Sequence, residues 1–128
     1  VTTQPTEPLA IVEAYLKAIE DHAPERMRRL LADEGFHYHS PIVSFDDPDA
    51  FLSYTAFSSG IVQRINIRKV FVDGPEVCHF LDFRVQLSEK MSVDLVQWAT
   101  VIDGRIQRLE LLFDAHPYRI MFGKNPTD

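Results

Sequence analysis

Two polar side chains, His79 and Gln97, interrupt an otherwise apolar every-second-residue pattern in the second half of the chain. Val77, Leu81, Phe83, Val85 and Leu87 share the parity of His79. Val93, Leu95, Ala99 and Val101 share that of Gln97, and Leu109, Leu111 and Phe113 continue the pattern. Alternation of this kind marks half-buried strands, whose successive side chains point to opposite faces, so both polar groups are predicted to face the core. A buried amide without a partner costs about 1–3 kcal/mol; Gln97 therefore needs a neighbouring side chain, a trapped water or a bound molecule. His79 is the inward-facing group that titrates near neutral pH, which suits it to act as a general base or to donate to a ligand carbonyl. A core histidine satisfied by Tyr15 or Gln97 is the alternative. Tyr15 offers a phenol to a ligand oxygen, or sits at a rim with its ring buried and its hydroxyl wet. His79 and Tyr15 are the candidate catalytic residues, and Tyr38, Ser40, Tyr54, Phe57, Gln97, Leu111 and Phe113 the remaining candidate ligand contacts.

Other chemistry-bearing residues point to less. His37-x-His39 places two imidazoles on one side of a strand, a geometry that suits two metal ligands but has no third close in sequence. Their parity opposes that of Phe36, which predicts an exposed or interface location, so no metal site is expected. No Gly-rich phosphate loop is present and no cofactor is expected. A net charge of −6 argues against a nucleic-acid partner, because that affinity comes from clustered Lys and Arg. Arg26, Arg28 and Arg29 scatter around a helix rather than line a groove. The single cysteine, Cys78, permits no internal disulfide, and a cytoplasmic setting is expected. No apolar run approaches the roughly 20 residues that span a bilayer, so no membrane partner is expected either.

The elements that must position these groups follow from local pattern. One domain is expected over residues 1–128, with a core at about 8–115 and a tail or lid at 116–128. Thr6-Glu7-Pro8 reads as the start of a helix whose apolar stripe is Leu9, Val12, Leu16 and Ile19, with Ile11 and Tyr15 beside it. Ala23-Pro24-Glu25 starts a second helix, predicted to end near Asp33 with Gly35 as a left-handed cap. Phe36 to Ser40 reads as a short strand stopped by Pro41, with Phe36, Tyr38 and Ser40 on one side. Asp46-Asp47-Pro48-Asp49 starts a third helix carrying Ala50, Phe51, Tyr54 and Phe57. Strands are then predicted at about 61–73, 76–88, 91–102 and 105–114, joined by turns that include Asp73-Gly74 and Asp103-Gly104. The class is α+β, with a long, twisted, mainly antiparallel sheet wrapped around the N-terminal helices as a cone, of cystatin-like topology. Its outer face is expected to hold Phe80, Val96, Trp98, Ile106 and Leu112 among Asp82, Arg84, Arg108 and Glu110. That patch predicts a homodimer contact centred on Phe80, Val96 and Trp98.

This order of elements, with Ile11-Val12-Glu13-Ala14-Tyr15-Leu16, the stretch from Leu31 to Pro41, and Ile102-Asp103-Gly104-Arg105-Ile106, resembles the nuclear transport factor 2-like superfamily. Its SnoaL-like and ketosteroid isomerase-like members are the most similar. The resemblance implies a concave pocket that binds a small lipophilic, oxygen-bearing molecule, with isomerase- or cyclase-like proton transfer where the acids are present. A non-catalytic interaction domain with a closed cavity is the alternative. The isomerases use a first-helix tyrosine, an aspartate before a proline and a late-strand acid. Tyr15 matches the first, whereas Ser40, before Pro41, and Gln97 stand at the other two. The resemblance therefore implies that this chain is not a steroid isomerase of that mechanism, since a serine hydroxyl is no base near neutral pH. Gln97 equally stands near the acid of the cyclases. The aspartate–arginine–aspartate set of epoxide hydrolase-like members is not reproduced, because Asp82 and Arg84 have outer-face parity.

Overall fold

A computed structural model describes residues 7–58, 61–86 and 90–116. The first helix, α1 (Pro8–Glu20), begins where Pro8 occupies the first turn after an extended Glu7. It buries Ile11, Val12, Tyr15, Leu16, Ala18 and Ile19. It stops where His22 adopts a left-handed φ of 54°. α2 (Pro24–Leu30) is one turn shorter than its sequence suggests and Gly35 does not cap it. Leu31 is already extended: it bridges Ile106, and the Ala32 N–H donates to the Ile106 carbonyl at 2.8 Å. A sheet backbone thus outcompetes one more helical turn. Gly35, with φ of 74°, instead turns the chain into β1, passing so close to Gln107 that a Cβ there would meet its amide nitrogen at 3.0 Å.

β1 (His37–His39) and a two-residue β2 (Ser44–Phe45), which the sequence pattern does not announce, precede α3 (Pro48–Ser58). Then come β3 (Val62–Asp73), β4 (Glu76–Gln86), β5 (Lys90–Ile102) and β6 (Arg105–Phe113). The sheet order is β2-β1-β6-β5-β4-β3. The predicted four-strand meander is present, and β1 extends it by pairing parallel to β6. Asp103 and Gly104, both at positive φ, make the β5–β6 hairpin turn. α1 lies against β3, β4, β5 and β6 on the inner face, and the α+β cone is as expected.

One parity expectation is overturned. Ile106 is fully buried rather than on the outer face. Ala99 pairs with Leu109 but Val101 pairs with Ile106, so β6 carries one extra residue between them. This bulge lets Ile106 and Leu109, three apart, both face inward. The rest of the outer face stands as read: Phe80, Trp98 and Leu112 are exposed, and the Asp82 carboxylate accepts from Arg84 at 3.0 Å on that side. Phe71 on β3 adds a further exposed ring, edge-on to Phe80. The stretch 116–128, expected as a tail or lid, lies outside the described residues apart from His116. No described helix is long and apolar enough to cross a membrane.

Candidate functional site

The concave side of the sheet closes over a half-enclosed cavity of about 110 Å³. Tyr15 and Ile19 reach it from α1, Tyr38 from β1, and Phe51, Tyr54 and Thr55 from α3. The sheet contributes Phe83 and Val85 from β4, Val93, Leu95 and Gln97 from β5, and Leu111 and Phe113 from β6. Six of the expected contacts therefore share one wall: Tyr15, Tyr38, Tyr54, Gln97, Leu111 and Phe113. Aromatic packing holds the phenols in place. The Tyr38 ring lies 4.4 Å from that of Phe51, and Phe45 bridges to Tyr54 at 5.3 Å.

The polar groups of this wall are neutral. Burial raises the Tyr15 pKa well above its ordinary value, with neighbouring Tyr38 adding to the effect, and burial also raises that of Tyr54. Both phenols therefore keep their protons at physiological pH and remain hydrogen-bond donors. Thr55 spends its hydroxyl proton on the Phe51 carbonyl at 2.9 Å. Gln97 is 2% exposed, and its amide nitrogen has no hydrogen-bond partner among the described residues. No carboxylate, ammonium, guanidinium or imidazole of the described residues lines the cavity.

Other candidates stand apart from this wall. His79 pairs across the ladder with Gln97 and is fully buried, yet it is not among the lining residues. Neither of its ring nitrogens has a partner among the described residues, so the expected bond to Tyr15 or Gln97 is not formed here. Desolvation lowers its pKa and keeps the imidazole neutral. Ser40 is buried, but its hydroxyl closes the turn between β1 and β2: it accepts from the Ile42 and Val43 N–H groups and donates to the Val43 carbonyl at 3.3 Å. The Phe57 side chain lies outside the described residues.

His37 and His39 do occupy the side of β1 opposite Tyr38, where they contact Asp46 at 2.6 Å and Ser44 at 2.7 Å. No group of three or more His, Cys, Asp or Glu among the described residues is arranged to hold a metal ion. Sequence reasoning missed Ile19, Ile42, Phe51, Thr55, Ile61 and Val62 as cavity residues. For α3 the signal was available, since Phe51, Tyr54 and Thr55 fall on one helical face. Ile42 and Ile61 flank elements whose positions only the tertiary fold defines.

The sequence matches no curated protein. Solved structures share the fold over nearly the whole chain. An NTF2-like protein of unknown function from Cytophaga hutchinsonii is 17% identical with a TM-score of 0.77, covering 92% of this chain and 98% of that one. An LEH-like epoxide hydrolase from M. tuberculosis is 21% identical with a TM-score of 0.76, covering 91% and 87%. A protein with a ketosteroid isomerase-like fold from Catenulispora acidiphila, in complex with trimethylamine, is 14% identical with a TM-score of 0.75, covering 95% of each chain. The sequence model of the SnoaL-like domain matches residues 12–109, from within α1 to within β6, and the chain belongs to the SnoaL-like domain family.

Proposed function

We propose that this chain binds a compact, neutral, lipophilic molecule bearing an acceptor oxygen, with the Gln97 amide and the Tyr15 phenol as donors. The observation that carries the reading is Gln97: an almost fully buried amide on the wall of an apolar cavity, with its nitrogen unpartnered. An unmade hydrogen bond of this kind is costly, and a ligand oxygen makes it. An ionic ligand is disfavoured because the wall offers no counter-charge to offset its desolvation. The size also speaks for a small occupant, since an apolar cavity of about 150 Å³ holds one benzene ring. A neighbour of the same fold solved in complex with a small molecule agrees with such a scaffold.

Calorimetric titration with cyclohexanone, set against cyclohexane, tests this. The ketone is expected to bind more tightly than the hydrocarbon, and Gln97→Leu to remove about tenfold of that preference, the equivalent of one net hydrogen bond. Equal ketone preference in wild type and Gln97→Leu would refute the assignment. Isomerase- or cyclase-like proton transfer needs a base, and neither phenol nor amide supplies one near neutral pH. That chemistry would fall to His79, with Tyr15 or Gln97 holding the oxygen. Turnover unchanged in His79→Ala would exclude His79 from it.

A second reading, an interaction surface on the outer face, is favoured by a separate observation. Phe80, Trp98 and Leu112 are exposed there beside half-buried Val96, an apolar patch on the back of the sheet. A second copy of this chain would cover the apolar patch. Light scattering that returns a monomer at tens of micromolar removes this reading.

A further inference from the structure

The inner face of the sheet is apolar in every row around one pair. Across the strands, Val70, His79, Gln97 and Leu111 form a single row, so the imidazole and the amide are each other's only polar neighbours in it. The rows on either side read Ile67, Leu81, Leu95 and Phe113, then Val72, Val77, Ala99 and Leu109. Three nitrogens in this island lack partners among the described residues: both ring nitrogens of His79 and the Gln97 amide nitrogen. Their chemistry is complementary. A neutral imidazole carries one acceptor nitrogen, and a glutamine amide nitrogen carries two N–H donors. Residues directly opposite on antiparallel strands have Cβ atoms about 4.5–5.5 Å apart, a distance that a rotation of the Gln97 side chain closes without moving either strand.

We propose that His79 is the positioning residue of the binding site. Its unprotonated ring nitrogen accepts one N–H of the Gln97 amide, which leaves the second N–H aimed into the cavity for the acceptor oxygen of a neutral ligand. The cavity reaches Gln97 and not His79, so the amide spans the two. Desolvation favours the neutral imidazole, the form that has an acceptor to offer. An amide without a fixed partner can turn either its oxygen or its nitrogen toward a ligand. Pairing with His79 selects the nitrogen, and so selects ligands that accept. The ligand half of this inference rests on the pocket reading above; the pairing rests on the two side chains alone.

Nuclear magnetic resonance of the free protein tests the pairing independently of any ligand. The Gln97 side-chain amide signals, identified by their loss in Gln97→Leu, are expected to show two well-separated protons in wild type. They should collapse toward free-amide positions in His79→Leu and be restored in His79→Gln, whose carbonyl again accepts. Restoration is a result that a merely space-filling role for His79 would not give. Amide signals identical in wild type and His79→Leu overturn the proposal. Should His79→Leu fail to fold, the wild-type ring nitrogens decide: Gln97→Leu must move one His79 nitrogen signal, and no movement overturns the pairing. Cyclohexanone affinity then separates the two ideas. A folded His79→Leu is expected to lose about tenfold for the ketone and nothing for cyclohexane. If the amide signals depend on His79 but wild type does not bind the ketone, the pairing stands and the ligand reading falls.

Discussion

Replacing both members of the buried pair, His79→Leu with Gln97→Met, is expected to stabilise the free protein. The magnitude follows from three buried nitrogens without partners among the described residues. Each unsatisfied group costs about 1–3 kcal/mol, and one bond between the two side chains satisfies two of the three. At least one such cost therefore remains in the wild type and disappears when both residues become apolar. Leucine and methionine are close to histidine and glutamine in volume, so repacking takes back about 1 kcal/mol. The net gain is about 0–2 kcal/mol, which raises the Tm by up to roughly 8 °C for a chain of this size. Urea and thermal unfolding at pH 7.5 measure it. The single variants complete a double-mutant cycle, in which a coupling energy above about 0.5 kcal/mol marks the pair as interacting. A double variant less stable than wild type would refute the reasoning, because it would mean that the two groups are already well satisfied. A gain in stability together with lost ketone binding would identify the pair as polar groups kept for function at a cost in stability.

Acid should destabilise the fold through His79. Its folded-state pKa lies below the ordinary value of 6.5, so the unfolded chain takes up a proton that the folded chain resists. Stability is thus full above about pH 6.5 and falls as pH drops through 6.5 toward the lower folded value. The urea midpoint of His79→Leu should change less between pH 7.5 and 5.5 than that of wild type; equal changes would show that another group carries the effect. Ile106→Ala should cost about 2–5 kcal/mol by leaving a core cavity, whereas Leu112→Ala, at a position 64% exposed, should cost under about 0.5 kcal/mol. Comparable losses in chemical denaturation would argue against the β6 bulge. Gly104→Ala, at φ of 76°, should cost about 1–2 kcal/mol from left-handed backbone strain, and an unchanged melting temperature would contradict that turn geometry.

The sequence is most readable where one signal acts alone. Period-two alternation places His79 and Gln97 inward and Asp82, Arg84, Phe80 and Trp98 outward, and proline with acidic residues marks the start of α3. Reading fails where a tertiary partner decides. Leu31 has the propensity to continue α2, but the β6 backbone offers it a bridge and the helix ends early. Ile106 has outer-face parity, but the extra residue in β6 reverses it. Ser40 is expected from the resemblance at the isomerases' base position, and its hydroxyl serves a local turn that only the β1–β2 geometry creates. On the cavity wall, Tyr15, Tyr38, Tyr54 and Gln97 were legible because burial and chemistry coincide in them. The isolation of His79 from the cavity was not, because parity gives a side chain's face and not its depth along the strand.

That isolation bears on what this SnoaL-like chain can do with an amide on its cavity wall. A carboxylate at the position of Gln97 would be a buried charge, tolerable only with a partner or a raised pKa. An amide at the same position keeps the hydrogen-bonding reach and gives up the proton. The surrounding phenols, held protonated by burial, likewise donate and do not abstract. The Gln97 amide and the protonated Tyr15 and Tyr54 phenols can therefore recognise an acceptor oxygen, and no described polar group on the wall can act as a base near neutral pH. His79 is a buried group that could act as a base, and its register pairs it with Gln97 while it does not line the cavity. In the proposed arrangement the imidazole contributes to recognition by orienting the amide, so binding selectivity rather than turnover is the property that its substitution should change first.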